Sequence, residues 1–159
     1  TCALPIYYRQ STDSTCAGAT LRQTIKYLTG IDYGEDFFQS LTGPGPGFDN
    51  VLEKANLFQS EVTYVKMPKG SYGLHNMLSF ADYSLTMSRP PIISVKTSDI
   101  SIMGYPCSRG HFLNITGQST NAINWILGDP YGDRAYFANG NRRTLSSENV
   151  YNVMLNLGY

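Results

Sequence analysis

A chain of 159 residues with 42% apolar side chains and zero formal net charge is long and hydrophobic enough for one packed domain, residues 1–159. That balance excludes an intrinsically disordered chain and a basic nucleic-acid binder. No apolar run approaches the ~20 residues of a membrane span, and the chain opens at Thr1 with no charged-then-apolar leader.

Charged residues make up only 15% of the chain, while tyrosine (12) and glycine (15) are frequent. This composition is common in secreted and cell-surface proteins, so a mature extracytoplasmic protein or an excised domain is expected, monomeric and without a membrane span. Arg142-Arg143 is the only basic pair and reads as a solvated turn.

The elements follow in order. The apolar stripe Leu21, Ile25, Leu28 predicts an amphipathic helix that opens near Cys16 and breaks at Gly30. A second apolar run lies in "DYGEDFFQSL". Gly43 to Gly47 reads as a Gly/Pro linker. A helix follows with Phe48, Val51, Leu52 and Ala55 inward, extended by Leu57 or Phe58. "SEVTYVKM" alternates through Val62 and Tyr64 and predicts a short strand. Another helix places Leu74, Leu78, Ala81 and Leu85 on one face, ending before Pro90-Pro91. Then come four short β-rich segments, at 91–97, 111–117, 124–130 and 134–139. "SSENVYNVMLNLGY" closes the chain, with Ser147 as a capping signal for a short helix. Helices early and strands late predict an α+β fold with two lobes, an N-terminal helical one and a C-terminal antiparallel β-sheet.

The cysteines are Cys2, Cys16 and Cys107. An odd count suggests one pair and one free thiol. Cys2 and Cys107 are the expected pair, closing a loop of ~100 residues for roughly 4–5 kcal/mol in the entropy model; the alternative is two unpaired thiols in a reducing compartment. With no CxxC and only two histidines, His75 and His111, neither a metal site nor a cofactor is expected.

Cys16 is where chemistry is expected. At the start of a helix its thiol meets the positive end of the dipole and free backbone N–H groups, which favour thiolate. The small Ala17, Gly18 and Ala19 would let a substrate approach. Gln10, six positions earlier, can donate to an oxyanion together with the Cys16 N–H. His111 opens a strand after Gly110, and Asp129 ends another before Pro130. If those strands are neighbours, Asp129 can orient the His111 ring and leave its other nitrogen for sulfur. Asn114 is a rival orienter with the wrong strand parity. Cys107, four residues before His111, is a rival nucleophile without a helix end to activate it. His75 has no assigned role.

These residues resemble a known group. "YYRQSTDSTCAGATLRQTIKYLTG" resembles the first motif of papain-fold cysteine peptidases, and more closely that of the bacteriocin-processing (double-glycine leader) peptidase-like family. "RPPIISVKT", "RGHFLNITG" and "ILGDPYGD" match its later motifs, so the resemblance spans nearly the whole chain. It implies Cys16 as nucleophile, His111 as base and acid, Asp129 as orienter and Gln10 as oxyanion donor. "CAGAT" departs from the usual Cys-Gly-Pro or Cys-Gly-Gln. The membrane and ATPase domains of transporter members are not in this chain, which points to stand-alone members, secreted or of phage-lysin type.

The expected function is therefore amide-bond hydrolysis, on either polypeptides or the peptide part of bacterial peptidoglycan, with no nucleic-acid partner. The reading from a different class is a non-catalytic glycan- or peptide-binding module, with exposed tyrosines and Trp125 as the contact surface.

Overall fold

The computed structural model, which describes residues 8–96, 110–131 and 142–159, starts its first helix at the cysteine that the sequence marks. Helix α1 spans Cys16–Thr29 and stops at Gly30, whose φ of 77° is left-handed and whose N–H donates to Lys26 O. Helices α2 (Glu35–Thr42) and α3 (Phe48–Leu57) follow it. Phe48, Val51, Leu52 and Ala55 face inward as their spacing predicts, while Leu57 is exposed and Phe58 half-buried.

The run Ala17-Gly18-Ala19 has a different purpose from the one its small size suggests. Both alanines are fully buried. A Cβ on Gly18 would stand 2.9 Å from Glu35 O and 3.1 Å from Gln39 Cβ. These residues let α1 pack tightly on α2; they do not open a path for substrate.

The sheet is built from β1 (Lys66–Pro68), β2 (Ile92–Lys96), β3 (Gly110–Gln118), β4 (Asn124–Gly128), β5 (Arg142–Ser146) and β6 (Met154–Gly158). Helix α4 (Leu74–Thr86) joins β1 to β2, and α5 (Ser147–Val153) joins β5 to β6. The order is β1-β6-β2-β3-β4-β5, with every described pairing antiparallel. The expected α+β architecture is present.

Strand alternation divides the core between the two faces. Ile92 and Phe112 join Leu21, Ile25, Phe38 and Val51 under α1–α3. Their neighbours Ile93 and Leu113 join Met77, Ala81, Trp125 and Val150 under α4 and α5. Trp125 is fully buried and its indole N–H donates to Gln118 Oε1 at 2.9 Å, so it is a core residue and no ligand platform.

Several boundaries differ from expectation. The fully buried stripe of α4 is Met77, Ala81 and Ser84, flanked by the half-buried Leu74, Leu78 and Leu85. The strand expected across 60–67 is limited to β1, although Tyr64 is buried and its hydroxyl donates to Pro90 O. Ser146, not Ser147, caps α5 by accepting from Asn149 N–H. The closing segment, expected to form a short helix, does so over Ser147–Val153, then turns into β6 at Met154 and enters the sheet between β1 and β2. Arg142-Arg143 is no solvated turn: it opens β5, and Arg143 is 3% exposed. The strand expected at 134–139 lies outside the described residues.

Candidate active site

The first turn of α1 takes one side-chain acceptor, Gln39 Oε1, which accepts from Gly18 N–H at 3.3 Å. Thr15 occupies the cap position, but its hydroxyl turns back to Thr12, accepting from Thr12 N–H and donating to Thr12 O. No acidic residue lies in the first turn. The Ala17 N–H, one position before the N–H that Gln39 takes, favours the Cys16 thiolate at this positive helix end.

A buried polar lattice fixes α1 to the sheet. Thr20 Oγ1 donates to Phe112 O at 3.0 Å. Gln23 Nε2 donates to Asn114 Oδ1 and to Gly128 O. Asn114 Nδ2 donates to Thr24 Oγ1 at 3.0 Å and Pro91 O at 3.2 Å. Asn114 faces α1, as strand parity requires, and its amide is engaged there. The same lattice holds Gly128, and with it the position of Asp129, against α1.

Cys16, His111 and Asp129 meet at the seam between the helical lobe and the sheet. Cys16 and His111 line one groove, and each side chain shifts the titration of the other. His111 Nε2 stands 2.8 Å from Asp129 Oδ1, which leaves Nδ1 as the ring nitrogen for sulfur. Tyr131 N–H donates to the same Oδ1 at 2.9 Å, and Arg143 Nη1 donates to Oδ2 at 3.1 Å. Asp129 is 0% exposed, His111 5% and Cys16 9%.

Burial alone would raise the Cys16 pKa, but the His111 hydrogen bond and charge and the backbone of Phe112 and Ala17 outweigh it, so the thiol lies below its ordinary value. Burial alone would lower the His111 pKa, but the charge and hydrogen bond of Asp129, then Cys16, push it up to about 10. Both shifts have the sign of a thiolate–imidazolium pair.

A groove of about 480 Å³ opens onto Cys16 and His111. Pro44 to Phe48 form one wall; Ser94, Val95, Leu155 and Asn156 form the other. The segment 43–47 is thus more than a linker. Its two prolines stiffen the loop, and its glycines leave space beside the sulfur.

Gln10 is 1% exposed. Its N–H donates to Pro130 O at 2.7 Å, which ties it to the Asp129 turn. Its Nε2 donates to Thr12 O at 2.7 Å, and its buried Oε1 has no partner among the described residues. His75 is exposed on α4. Cys2 and Cys107, with their expected disulfide, lie outside the described residues.

Sequence reasoning missed Arg143, Tyr131 and the groove residues of β6. Alternation in "MLNLG" was the available signal for β6. Nothing local distinguishes Arg143 from a surface arginine, since its partner is 14 positions away.

A helical lobe packed on an antiparallel sheet, with cysteine at a helix start and histidine at a strand start, is the papain-like cysteine peptidase fold, and this chain has it. Two solved structures share it over nearly their whole length. The peptidase domain of Streptococcus ComA, a bifunctional ABC transporter involved in a quorum-sensing pathway, aligns with 97% of this chain and 96% of its own at TM-score 0.67 and 16% identity. A double-glycine-motif protease from an AMS/PCAT transporter, solved with its leader peptide, aligns with 98% of this chain and 91% of its own at TM-score 0.66 and 15% identity. Both are peptidase domains of transporters, whereas the sequence pointed to stand-alone members. No family model matches the chain, and no curated protein matches it by sequence.

Proposed function

We propose that this protein is a cysteine peptidase with Cys16 as nucleophile, His111 as acid and base, Asp129 as orienter of the imidazole and Gln10 as a donor to the oxyanion. The observation that carries this reading is His111 itself, buried, 2.8 Å from Asp129 Oδ1 and lining the same groove as Cys16. Inert buried cysteines lack such a partner.

The thiolate attacks the scissile carbonyl carbon. The carbonyl π electrons move onto oxygen, which takes hydrogen bonds from the Cys16 N–H and from the second Nε2 hydrogen of Gln10. The first such hydrogen is on Thr12 O. As the C–N bond breaks, imidazolium gives its proton to the leaving amine, forming a thioester and neutral His111. His111 then takes a proton from water. The resulting hydroxide displaces sulfur, releasing the acid and restoring the ion pair.

The substrate is a polypeptide that crosses the groove in extended form; likeness to a protease solved with a leader peptide supports this class. Cell-wall peptides, favoured by the low charge of the chain, are the second class. The test incubates wild type and Cys16→Ala with casein and with purified peptidoglycan, while a cysteine-directed warhead is located by peptide mapping. Cleavage by wild type alone, with the label on Cys16, supports the assignment, and the polymer cut identifies the class. Turnover retained by Cys16→Ala overturns it.

A further inference from the structure

Asp129 has two oxygens, and both are held. Oδ1 takes His111 Nε2 and Tyr131 N–H, and Oδ2 takes Arg143 Nη1 at 3.1 Å. Arg143 lies on β5 opposite Leu127 of β4, and Asp129 directly follows that strand. An arginine only 3% exposed is costly unless its charge meets a counter-charge. Among the described residues one such counter-charge is the carboxylate at the far end of the His111 hydrogen bond.

Resting on the peptidase reading above, we propose that Arg143 is a positioning residue: its guanidinium holds Oδ2 so that Oδ1 stays aimed at His111 Nε2. Two physical arguments support it. Both carboxylate oxygens lie off the Cβ–Cγ axis, so turning about that bond breaks the Oδ1 bond to His111, and a charge-assisted anchor on Oδ2 adds to the resistance against that turn. The second argument is charge. The active form has thiolate from α1, imidazolium from β3 and carboxylate after β4, which sum to −1. Arg143 from β5 brings these four groups to zero. Removing a positive charge from a buried site makes each acid in it hold its proton more tightly. Loss of Arg143 therefore works against the thiolate even though Arg143 is not its direct partner.

The experiment compares wild type, Arg143→Met and Arg143→Lys, each checked for native circular dichroism. Iodoacetamide alkylation of Cys16 is followed against pH, and kcat and KM are measured on a peptide cut by wild type. In Arg143→Met the acid limb of alkylation moves up by about one pH unit or more, and kcat falls about tenfold or more while KM changes less than about twofold. Arg143→Lys keeps the charge, leaves the limb near its wild-type position and restores part of kcat. A merely structural arginine would move neither the limb nor the kcat-to-KM split.

A folded Arg143→Met with wild-type limb and kcat overturns the inference and leaves the peptidase reading intact. A wild-type Cys16 no more reactive than an ordinary thiol overturns both. If Arg143→Met does not fold, Asp129→Asn is compared with Asp129→Asn/Arg143→Met, which buries no uncompensated carboxylate. Equal kcat within about threefold supports action through Asp129, and a further tenfold loss overturns it.

Discussion

Asp129 Oδ1 meets His111 Nε2 at 2.8 Å, and neither residue is more than 5% exposed. In so dry a site the carboxylate acts on the imidazole at short range with little screening, and it fixes which ring nitrogen is left for sulfur. The residues are 18 positions apart and come together because β3 and β4 are antiparallel neighbours, with Asn114 opposite Gly128.

Replacing Asp129 by Asn removes the charge while keeping the size. The imidazole can then present the wrong tautomer to sulfur, so kcat on a cleaved peptide is expected to fall by about two to four orders of magnitude. Steady-state kinetics at fixed pH test this. A loss under about threefold means that another group orients His111.

The pH dependence follows from the two shifted groups. In the proposed mechanism, turnover needs deprotonated Cys16 and protonated His111. Cys16 lies below its ordinary 9.0, so the acid limb of turnover and of alkylation, where the thiolate takes up a proton, is expected below that pH. His111 keeps its proton up to about 10, so the alkaline limb of turnover is expected there. His111→Ala leaves Cys16 buried without the partner that lowers its pKa, and alkylation at pH 7 is expected to fall well below that of wild type. Stability has the corresponding sign. The His111 contribution is complete below its ordinary 6.5 and is lost as pH rises through about 10. Urea midpoints of wild type between neutral and alkaline pH, set against those of His111→Ala, measure it.

The parts legible in the sequence are those fixed by local signals. The helix opening at Cys16, the left-handed stop at Gly30 and the inward face of α3 each depend on neighbours a few positions away. The juxtaposition of Cys16, His111 and Asp129 was legible only through motif order and the supposition that two strands pair. Arg143 was not legible: a buried arginine and a solvated one have the same letter, and burial is decided by β5 pairing with β4. The purpose of Ala17-Gly18-Ala19 was misread for a similar reason, since nothing in the run shows that Gln39 and Glu35 lie across from it.

That misreading yields a stability prediction. Gly18→Ala puts a methyl group 2.9 Å from Glu35 O, a backbone atom that cannot swing aside. Separating α1 from α2 is expected to cost about 1–3 kcal/mol. Urea unfolding measures it; a stability equal to wild type or higher, as alanine's better helix propensity alone would give, means that the helices are not in close contact at Gly18.

Gly47 offers a test of the groove with the fold left alone. Its φ of −69° and ψ of 158° suit any residue, and a Cβ there meets nothing within 4 Å. Gly45, with φ 58°, would add backbone strain of about 1 kcal/mol and confound the result. Gly47→Phe adds a ring to the groove lining that Gly47 shares with Ser94 and Asn156. If substrate crosses this groove, KM rises about tenfold, equivalent to about 1.4 kcal/mol of lost binding, while the unfolding midpoint and the Cys16 alkylation rate stay near wild type. An unchanged KM in that variant places the substrate elsewhere, because the ring occupies the same wall whether or not the thiol is reactive.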